Sequence, residues 1–99
     1  MVLEVANIRI DPVKAKEFEA AIESGVRNVL AKAKGFKNFK IQRGVENPEK
    51  YLLMIEWASL EDHMVGFRES PAFAEWRGIV GGFFAAPVEM EHFELIASN

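Results

Sequence analysis

The sequence predicts an α+β fold of the ferredoxin-like, split βαββαβ kind, with a four-stranded antiparallel sheet and helices on one face. Two observations predict it. A long stretch of helical periodicity follows a first apolar strand-like run, and a short polar turn at 46–49 joins two further runs as a hairpin. The chain has 99 residues, which is the size of one domain, so residues 1–99 are expected to form a single unit.

The first third of the chain predicts a strand and then one long amphipathic helix. Val2–Ile10 is an apolar, extended run. Asp11 ends it and is followed by proline, a favoured pair at a helix start because Asp caps the first turn and Pro fits its first position. Apolar residues then recur at three- and four-residue steps over Phe18–Ala33, and Gly35 is a typical helix end.

The rest of the chain predicts two strands, two short helices and a last strand. Phe36–Gly44 and Tyr51–Ala58 form the hairpin. Ser59 resembles the first residue of a capping box and opens a short helix. Ser70 precedes a proline that opens the next helix, two glycines end that helix, and Val88–Ile96 is the last strand.

Two of the predicted strands are apolar on both faces. Leu3 and Val5 alternate with Ala6 and Ile8 in the first strand, and the third strand repeats this doubling. A sheet that carries helices on one face is usually polar on a face that meets water. We therefore predict a homodimer that packs sheet against sheet. The alternative is that these apolar residues are individually exposed, as many surface residues are.

Composition excludes several classes of function. Twelve Lys and Arg against fifteen Asp and Glu give a net charge of -3, which argues against nucleic acid or an anionic membrane as a partner. The chain has no cysteine, so thiol catalysis and cysteine-ligated metal sites are excluded. No apolar run approaches the ~20 residues that span a bilayer, and the N-terminus lacks signal-peptide features, which predicts a cytoplasmic protein.

The segment from Trp57 to Trp76 resembles a known family. Trp57–His63 and Phe67–Trp76 are similar to the antibiotic biosynthesis monooxygenases. That resemblance implies a dimeric α+β barrel and a cofactor-independent monooxygenase, which oxidises an aromatic phenol, quinol or anthrone with O₂. It implies no metal and no other cofactor, and the partners it implies are a small aromatic substrate, O₂ and a second copy of the chain.

Three polar residues are the candidate catalytic groups. His63 shares one side of its short helix with apolar residues, so its ring is expected at the helix–sheet interface, where an imidazole can remove a proton. Asn7 is unusual inside an apolar strand, and Arg77 could hold an oxyanion. The resemblance supports His63 and Asn7, because family members carry a histidine in this motif and heme-degrading members an asparagine on the first strand. The alternatives are structural roles for all three.

Aromatic residues are candidate walls of the substrate site. The chain has eight Phe and two Trp, and a flat aromatic substrate would stack against such side chains. Spacing at three and four residues is equally typical of helix residues that pack in a core. The predicted substrate-binding residues are Trp57, Phe67, Phe73, Trp76 and Phe83.

Two further charged residues are interpreted as structural. Arg43 is expected to be a surface cation over apolar neighbours. His92 shares a strand with Glu91 and Glu94, but adjacent strand residues point to opposite faces, so they do not form a metal site. We therefore expect His92 to be exposed or on the dimer face.

Two other functions stay open at this point. A non-catalytic, small-ligand-binding or stress-related dimeric barrel would use the same pocket or fill it with side chains. Heme binding or degradation is a further hypothesis. The axial histidine of heme-degrading members lies on the later helix, where this chain has Trp76 and Arg77.

Overall fold

The computed structural model describes residues 1–99 and confirms the four-stranded antiparallel sheet. Its strands are β1 (Val2–Arg9), β2 (Phe36–Arg43), β3 (Lys50–Trp57) and β4 (Glu89–Phe93). Their order across the sheet is β2-β3-β1-β4, and each neighbouring pair is antiparallel. The hairpin strand β3 and the first strand β1 therefore lie in the middle, paired on both sides.

The helical elements confirm the predicted order, with one change in length. They are α1 (Ala15–Asn28), a π-helical segment (Asp62–Phe67), α2 (Pro71–Val80) and three 3₁₀ turns (Pro12–Lys14, Leu30–Lys32 and Gly81–Phe83). Asp11 caps the first turn by accepting a hydrogen bond from the Val13 N–H at 3.1 Å. α1 is shorter than predicted, because the chain passes after Val29 into the 3₁₀ turn Leu30–Lys32. None of these helices combines the length and apolarity needed to cross a bilayer.

The core lies between the helices and one face of the sheet, which we call the inner face. Alternate strand residues point towards it. Its fully buried side chains include Phe18, Ile22 and Val26 of α1, Ile55 and Trp57 of β3, and Val80 of α2. Burial of each large apolar side chain contributes roughly 1.5–3 kcal/mol. α2 approaches α1 at Gly25, where an added Cβ would come within 2.9 Å of the Trp76 ring.

The predicted short helix after β3 is a π-helix. The His63 carbonyl accepts a hydrogen bond from the Arg68 N–H at 2.9 Å, a five-residue spacing. His63 and Phe67 of this segment are buried, whereas Leu60, just before it, is 50% exposed. The Asp62 N–H still donates to the Ser59 hydroxyl at 3.1 Å, which confirms Ser59 as the residue that opens the segment.

The last strand is shorter than predicted. β4 ends at Phe93, which pairs with Leu3 near the start of β1. In the same register only Glu94 would still lie opposite a residue of β1, Val2, and the residues that follow it have no partner in that strand. Leu95 and Ile96 are consequently 75% and 89% exposed.

Gly35 is expected to be the most sensitive glycine of the fold. Its φ is +87°, and an added Cβ would clash with the Asp62 carboxylate. Gly35→Ala should therefore lower the free energy of unfolding by about 1–2 kcal/mol or more, as measured by urea denaturation. Gly78→Ala is the matched control, because Gly78 lies in α2 with open space around it. That control should raise stability by roughly 0.5–1 kcal/mol, and equal effects at the two sites would contradict this reading.

Candidate functional site

A cavity of about 300 Å³ lies between the inner face of the sheet, the π-helical segment and α2. Ten of its fifteen lining residues are hydrophobic, and the charged or titratable ones are Glu4, His63, Arg68 and Arg77. Small-molecule sites typically combine an apolar wall with a few polar groups, and this volume lies at the lower end of their range. The cavity therefore suits a small, mostly apolar ligand.

Three titratable side chains meet beside the cavity, and we call them the Glu4–His63–His92 triad; Glu4 and His63 line the cavity, and His92 contacts His63. The Nε2 atom of His63 lies 3.3 Å from Oε1 of Glu4. The Nδ1 atom of His63 lies 2.7 Å from Nε2 of His92. The Trp57 indole N–H donates to the same Glu4 oxygen at 2.9 Å. His63 is thus the central member, with both ring nitrogens engaged.

Strand register and the π-helical segment place the triad. Glu4 and His92 are partners across the antiparallel β1–β4 pair, so both face the inner side of the sheet. His63 enters from the segment that follows β3, and its ring stacks on Trp57 with centroids 4.9 Å apart and planes 16° apart. The Phe67 ring lies on the same side of the segment, 6.3 Å from His63. Aromatic packing therefore fixes the orientation of the imidazole.

Burial determines the protonation of the triad. The side chains of Glu4 and His63 are only 7% and 3% exposed. Burial raises the pKa of Glu4 from 4.5 to about 7, although the hydrogen bond from Trp57 and the charge of Arg68 oppose it. Burial also lowers the pKa of His63 to about 4, with contributions from His92 and Arg68. At neutral pH His63 is therefore uncharged, and its 3.3 Å contact with Glu4 is not an ion pair.

Glu4 is the member of the triad best placed to exchange a proton with a ligand. Burial and the charge of Arg68 lower the pKa of His92 as well, so both imidazoles are neutral near pH 7. The Oε1 atom of Glu4 carries the contacts with Trp57 and His63. Because Glu4 lines the cavity, its other oxygen, Oε2, is left for a ligand. A carboxyl group whose pKa is about 7 can accept or release a proton at neutral pH.

Two arginines stand beside the cavity. The guanidinium carbon of Arg68 lies 5.3 Å from the centre of the Phe73 ring, and that of Arg77 lies 5.2 Å from the centre of the Phe84 ring. Both phenylalanines line the cavity. The two arginines are exposed, so they mark its rim rather than its interior.

The structure brings most of the predicted site residues to this cavity. Those that line it are His63, Arg77, Phe67, Phe73 and Trp76. Trp57 lies behind His63 and supports its ring instead of lining the cavity. Phe83 packs in the core, with its ring centre 5.7 Å from that of Phe18. As expected, Arg43 is a surface residue, with NH1 3.7 Å from a carboxylate oxygen of Glu19.

Asn7 is separated from His63 by the sheet. It alternates with Ala6 and Ile8, which line the cavity, so its side chain points to the other face. There its Oδ1 atom is buried without a hydrogen-bond partner. The sequence predicted Asn7 to lie in one site with His63. The structure puts the two side chains on opposite faces of the sheet, so Asn7 does not line the cavity.

Glu4 and His92 are the candidate site residues that sequence reasoning missed. Glu4 shares its strand phase with Ala6 and Ile8 and is 5% exposed. An acidic residue in phase with the core was the signal that could have identified it. His92 was predicted to be exposed or on the dimer face, and this was wrong, because β4 turns its Met90 and His92 side chains inwards.

Comparison with known proteins places this chain among relatives of similar length. The sequence pattern of the family described as antibiotic biosynthesis monooxygenase matches residues 1–78. The uncharacterized protein YczJ of Bacillus subtilis strain 168 is 34% identical over 94 residues, which cover 95% of this chain and 98% of YczJ. The two proteins therefore correspond over nearly their whole length.

Solved structures show the same fold. A Bordetella bronchiseptica protein named for the same family superposes with a TM-score of 0.90 at 32% identity, covering 97% of each chain. The monooxygenase from the gene ActVA-Orf6 of Streptomyces coelicolor, solved with the ligand nanaomycin D, has a TM-score of 0.84 at 16% identity. That match covers 99% of this chain and 89% of the other, and at this identity it shows the fold alone.

Glu4→Gln tests the buried carboxylate. Folding raises the pKa of Glu4 from 4.5 to about 7, so its stabilising contribution is full below pH 4.5 and is lost as the pH rises through 7. His63 acts in the opposite sense between pH 4 and 6.5, so variant and wild type are compared at each pH. The free energy of unfolding of the variant minus that of the wild type should rise by about 3 kcal/mol from pH 4.5 to about pH 8.

Urea denaturation at those two pH values measures this difference. Glu17→Gln, at an exposed position of α1, is the matched control for loss of a carboxylate. A difference between Glu4→Gln and wild type that stays constant across the pH range would show that Glu4 ionises as an ordinary surface carboxylate does.

Proposed function

We propose a function for this chain from one premise: it belongs to the antibiotic biosynthesis monooxygenase family. The proposed activity is that of a cofactor-independent monooxygenase, which oxidises an aromatic phenol, quinol or anthrone with O₂. The observation that carries the proposal is the Glu4–His63–His92 triad, of which Glu4 and His63 are buried and line an apolar cavity. Such a site can remove a proton from an aromatic hydroxyl group while it keeps water away from the product of that step.

The first step is proton transfer from the substrate to Glu4. Its Oε2 atom receives the proton, because Oε1 is held by the Trp57 indole and by His63. A base works best when its pKa lies near the working pH, and the pKa of Glu4 is about 7. His63, which the sequence suggested as the base, is neutral and contacts Glu4, so its proposed role is to orient the carboxylate and to share the proton.

The second step is the reaction of the substrate anion with O₂. A carbon–oxygen bond forms at the electron-rich ring carbon and gives a peroxide, which takes back the proton from Glu4. The O–O bond then breaks and the ring carbon loses its hydrogen, so that a quinone and one water molecule result. The substrate supplies all four electrons that reduce O₂. Arg77 was predicted to hold this negative charge; it is exposed at the rim of the cavity, so we assign its charge to the substrate anion as a whole rather than to the reacting oxygen.

A second candidate function is binding of a small ligand without turnover. The observation that favours it is that both ring nitrogens of His63 are already engaged within the chain. The same observation weighs against heme, because His63 is the histidine that lines the cavity and it presents no free nitrogen to an iron atom. The two remaining functions differ in whether Glu4 takes a proton from the bound molecule.

We also propose that the outer face of the sheet is the contact surface of a homodimer. Leu3 and Val5 of β1 lie beside Met54 of β3 on this face and are partly exposed. A concavity of about 850 Å³ lies there, bounded by the C-terminal residues 93–97. The unpartnered Oδ1 atom of Asn7 is on the same face. A second copy would cover these apolar side chains and could supply a donor to Asn7.

Oxygen uptake tests the proposed reaction. Anthrone and several hydroquinones should consume O₂ faster with the protein than by autoxidation alone. Glu4→Gln should lower the excess rate by about 100-fold or more, because it removes the base, and His63→Ala should lower it as well. The rate should rise with pH and level off above about 7, as the Glu4 carboxylate ionises.

Glu17→Gln, on the exposed side of α1, is the control and should keep the full rate. Excess uptake that survives both triad substitutions would remove the triad from the mechanism. No excess uptake with any of these compounds, together with tight binding of one of them, would favour the ligand-binding function.

Sedimentation equilibrium tests the proposed dimer. The wild-type protein should have twice the mass of one chain, and Met54→Glu should shift it towards the monomer, because the substitution places a charge in the contact surface. Ala20→Glu adds the same charge on the exposed side of α1 and should leave the dimer intact. A monomeric wild-type protein would refute the proposal.

A further inference from the structure

We propose that the cavity selects an anionic aromatic ligand, whose carboxylate meets Arg68 and Arg77 at the rim while its ring occupies the apolar interior. The inference rests on the proposed function, since it names the class of substrate that this site would take. It starts from the arginines that the proton-transfer chemistry of the triad leaves unexplained.

The two rim arginines differ from the other three in the chain. Arg9, Arg27 and Arg43 each lie within 4.0 Å of a glutamate carboxylate. Arg68 and Arg77 form no ion pair and no side-chain hydrogen bond within the chain. Their donors are therefore available to a carboxylate brought by a ligand.

Aromatic packing holds both guanidinium groups against the cavity wall. Arg68 lies over Phe73 and Arg77 over Phe84, and both rings line the cavity. A guanidinium group that rests its flat face on a ring keeps its N–H donors free along the edge. Such an edge matches the two oxygens of a carboxylate, which a single ammonium group does not.

The local charge at the cavity is opposite to that of the whole chain. The chain carries a net charge of -3, yet Glu4 is the only carboxylate that lines the cavity beside the two arginines. The charge of Arg68 also lowers the pKa values of Glu4, His63 and His92, which places it within electrostatic reach of the whole triad. A positive rim around an apolar interior attracts an anion and orients it with its ring inwards.

The geometry also divides the ligand into two ends. The acidic group would sit at the rim, where the arginines are exposed and water can still solvate it. The reacting hydroxyl group would face Glu4, which is buried deeper. A hydroxylated aromatic carboxylate has both groups on one rigid, flat frame.

Equilibrium binding without O₂ tests the inference separately from catalysis. The probes are 6-hydroxy-2-naphthoate, whose hydroxyl and carboxylate lie at opposite ends of the ring system, and its neutral isostere 6-hydroxy-2-naphthamide, titrated by isothermal calorimetry under nitrogen. The wild-type protein should bind the naphthoate about 10-fold or more tightly than the naphthamide, because only the naphthoate forms charge-assisted hydrogen bonds with the arginines. Added salt should reduce this preference.

Substitutions at the rim supply the second arm. The double variant Arg68→Gln, Arg77→Gln should bind the two probes with affinities within about 2-fold of each other, since what remains does not distinguish charge. Arg27→Gln is the matched control, because Arg27 also lies over a phenylalanine ring, that of Phe39, but away from the cavity. This control should keep the full preference.

Three outcomes would overturn the inference: equal affinities in the wild type, a preference that survives in the double variant, or no binding of either probe. A preference for the naphthoate without any O₂ uptake would refute the proposed oxygenase and leave the inference standing. Oxygen uptake with equal affinity for the charged and the neutral probe would support the proposed oxygenase and refute the inference about the arginines.

Discussion

A carboxylate buried on the inner face of the sheet is the constraint on which the site depends. Glu4 lies in the middle of an apolar strand, and a buried carboxyl group without partners is strongly destabilising. Its Oε1 atom is satisfied by the Trp57 indole and contacts His63. Because of these contacts, the end of β3 and the π-helical segment are both tied to β1. The cavity opens where these three elements meet.

The sheet separates the candidate site from the proposed dimer surface. Its inner face holds the triad and the apolar cavity, and its outer face carries the apolar residues proposed for association. Neighbouring residues of β1 serve different faces: Glu4 and Ala6 point inwards, whereas Val5 and Asn7 point outwards. Because side chains alternate along a strand, β1 contributes residues to the cavity on one face and to the proposed dimer surface on the other. A shift of one residue in its register would move each set of side chains to the opposite face.

The wall and the rim of the cavity are two different electrostatic environments. At its wall, burial makes the imidazoles neutral and brings the carboxyl group close to its titration point at neutral pH. At its rim, exposed arginines retain their charge because water still solvates them. The proposed proton transfer and the proposed recognition of an anion thus lie at different depths, each in the dielectric environment that favours it.

The sequence by itself determined the order of elements, the cap at Asp11 and four of the aromatic or basic residues around His63, because these follow from local spacing and from turn chemistry. It missed Glu4 and His92, and it grouped Asn7 with His63. Those three placements depend on which way a strand faces and on which residues pair across strands distant in the chain. Only the tertiary structure decided them, since register is set by packing between elements rather than within one.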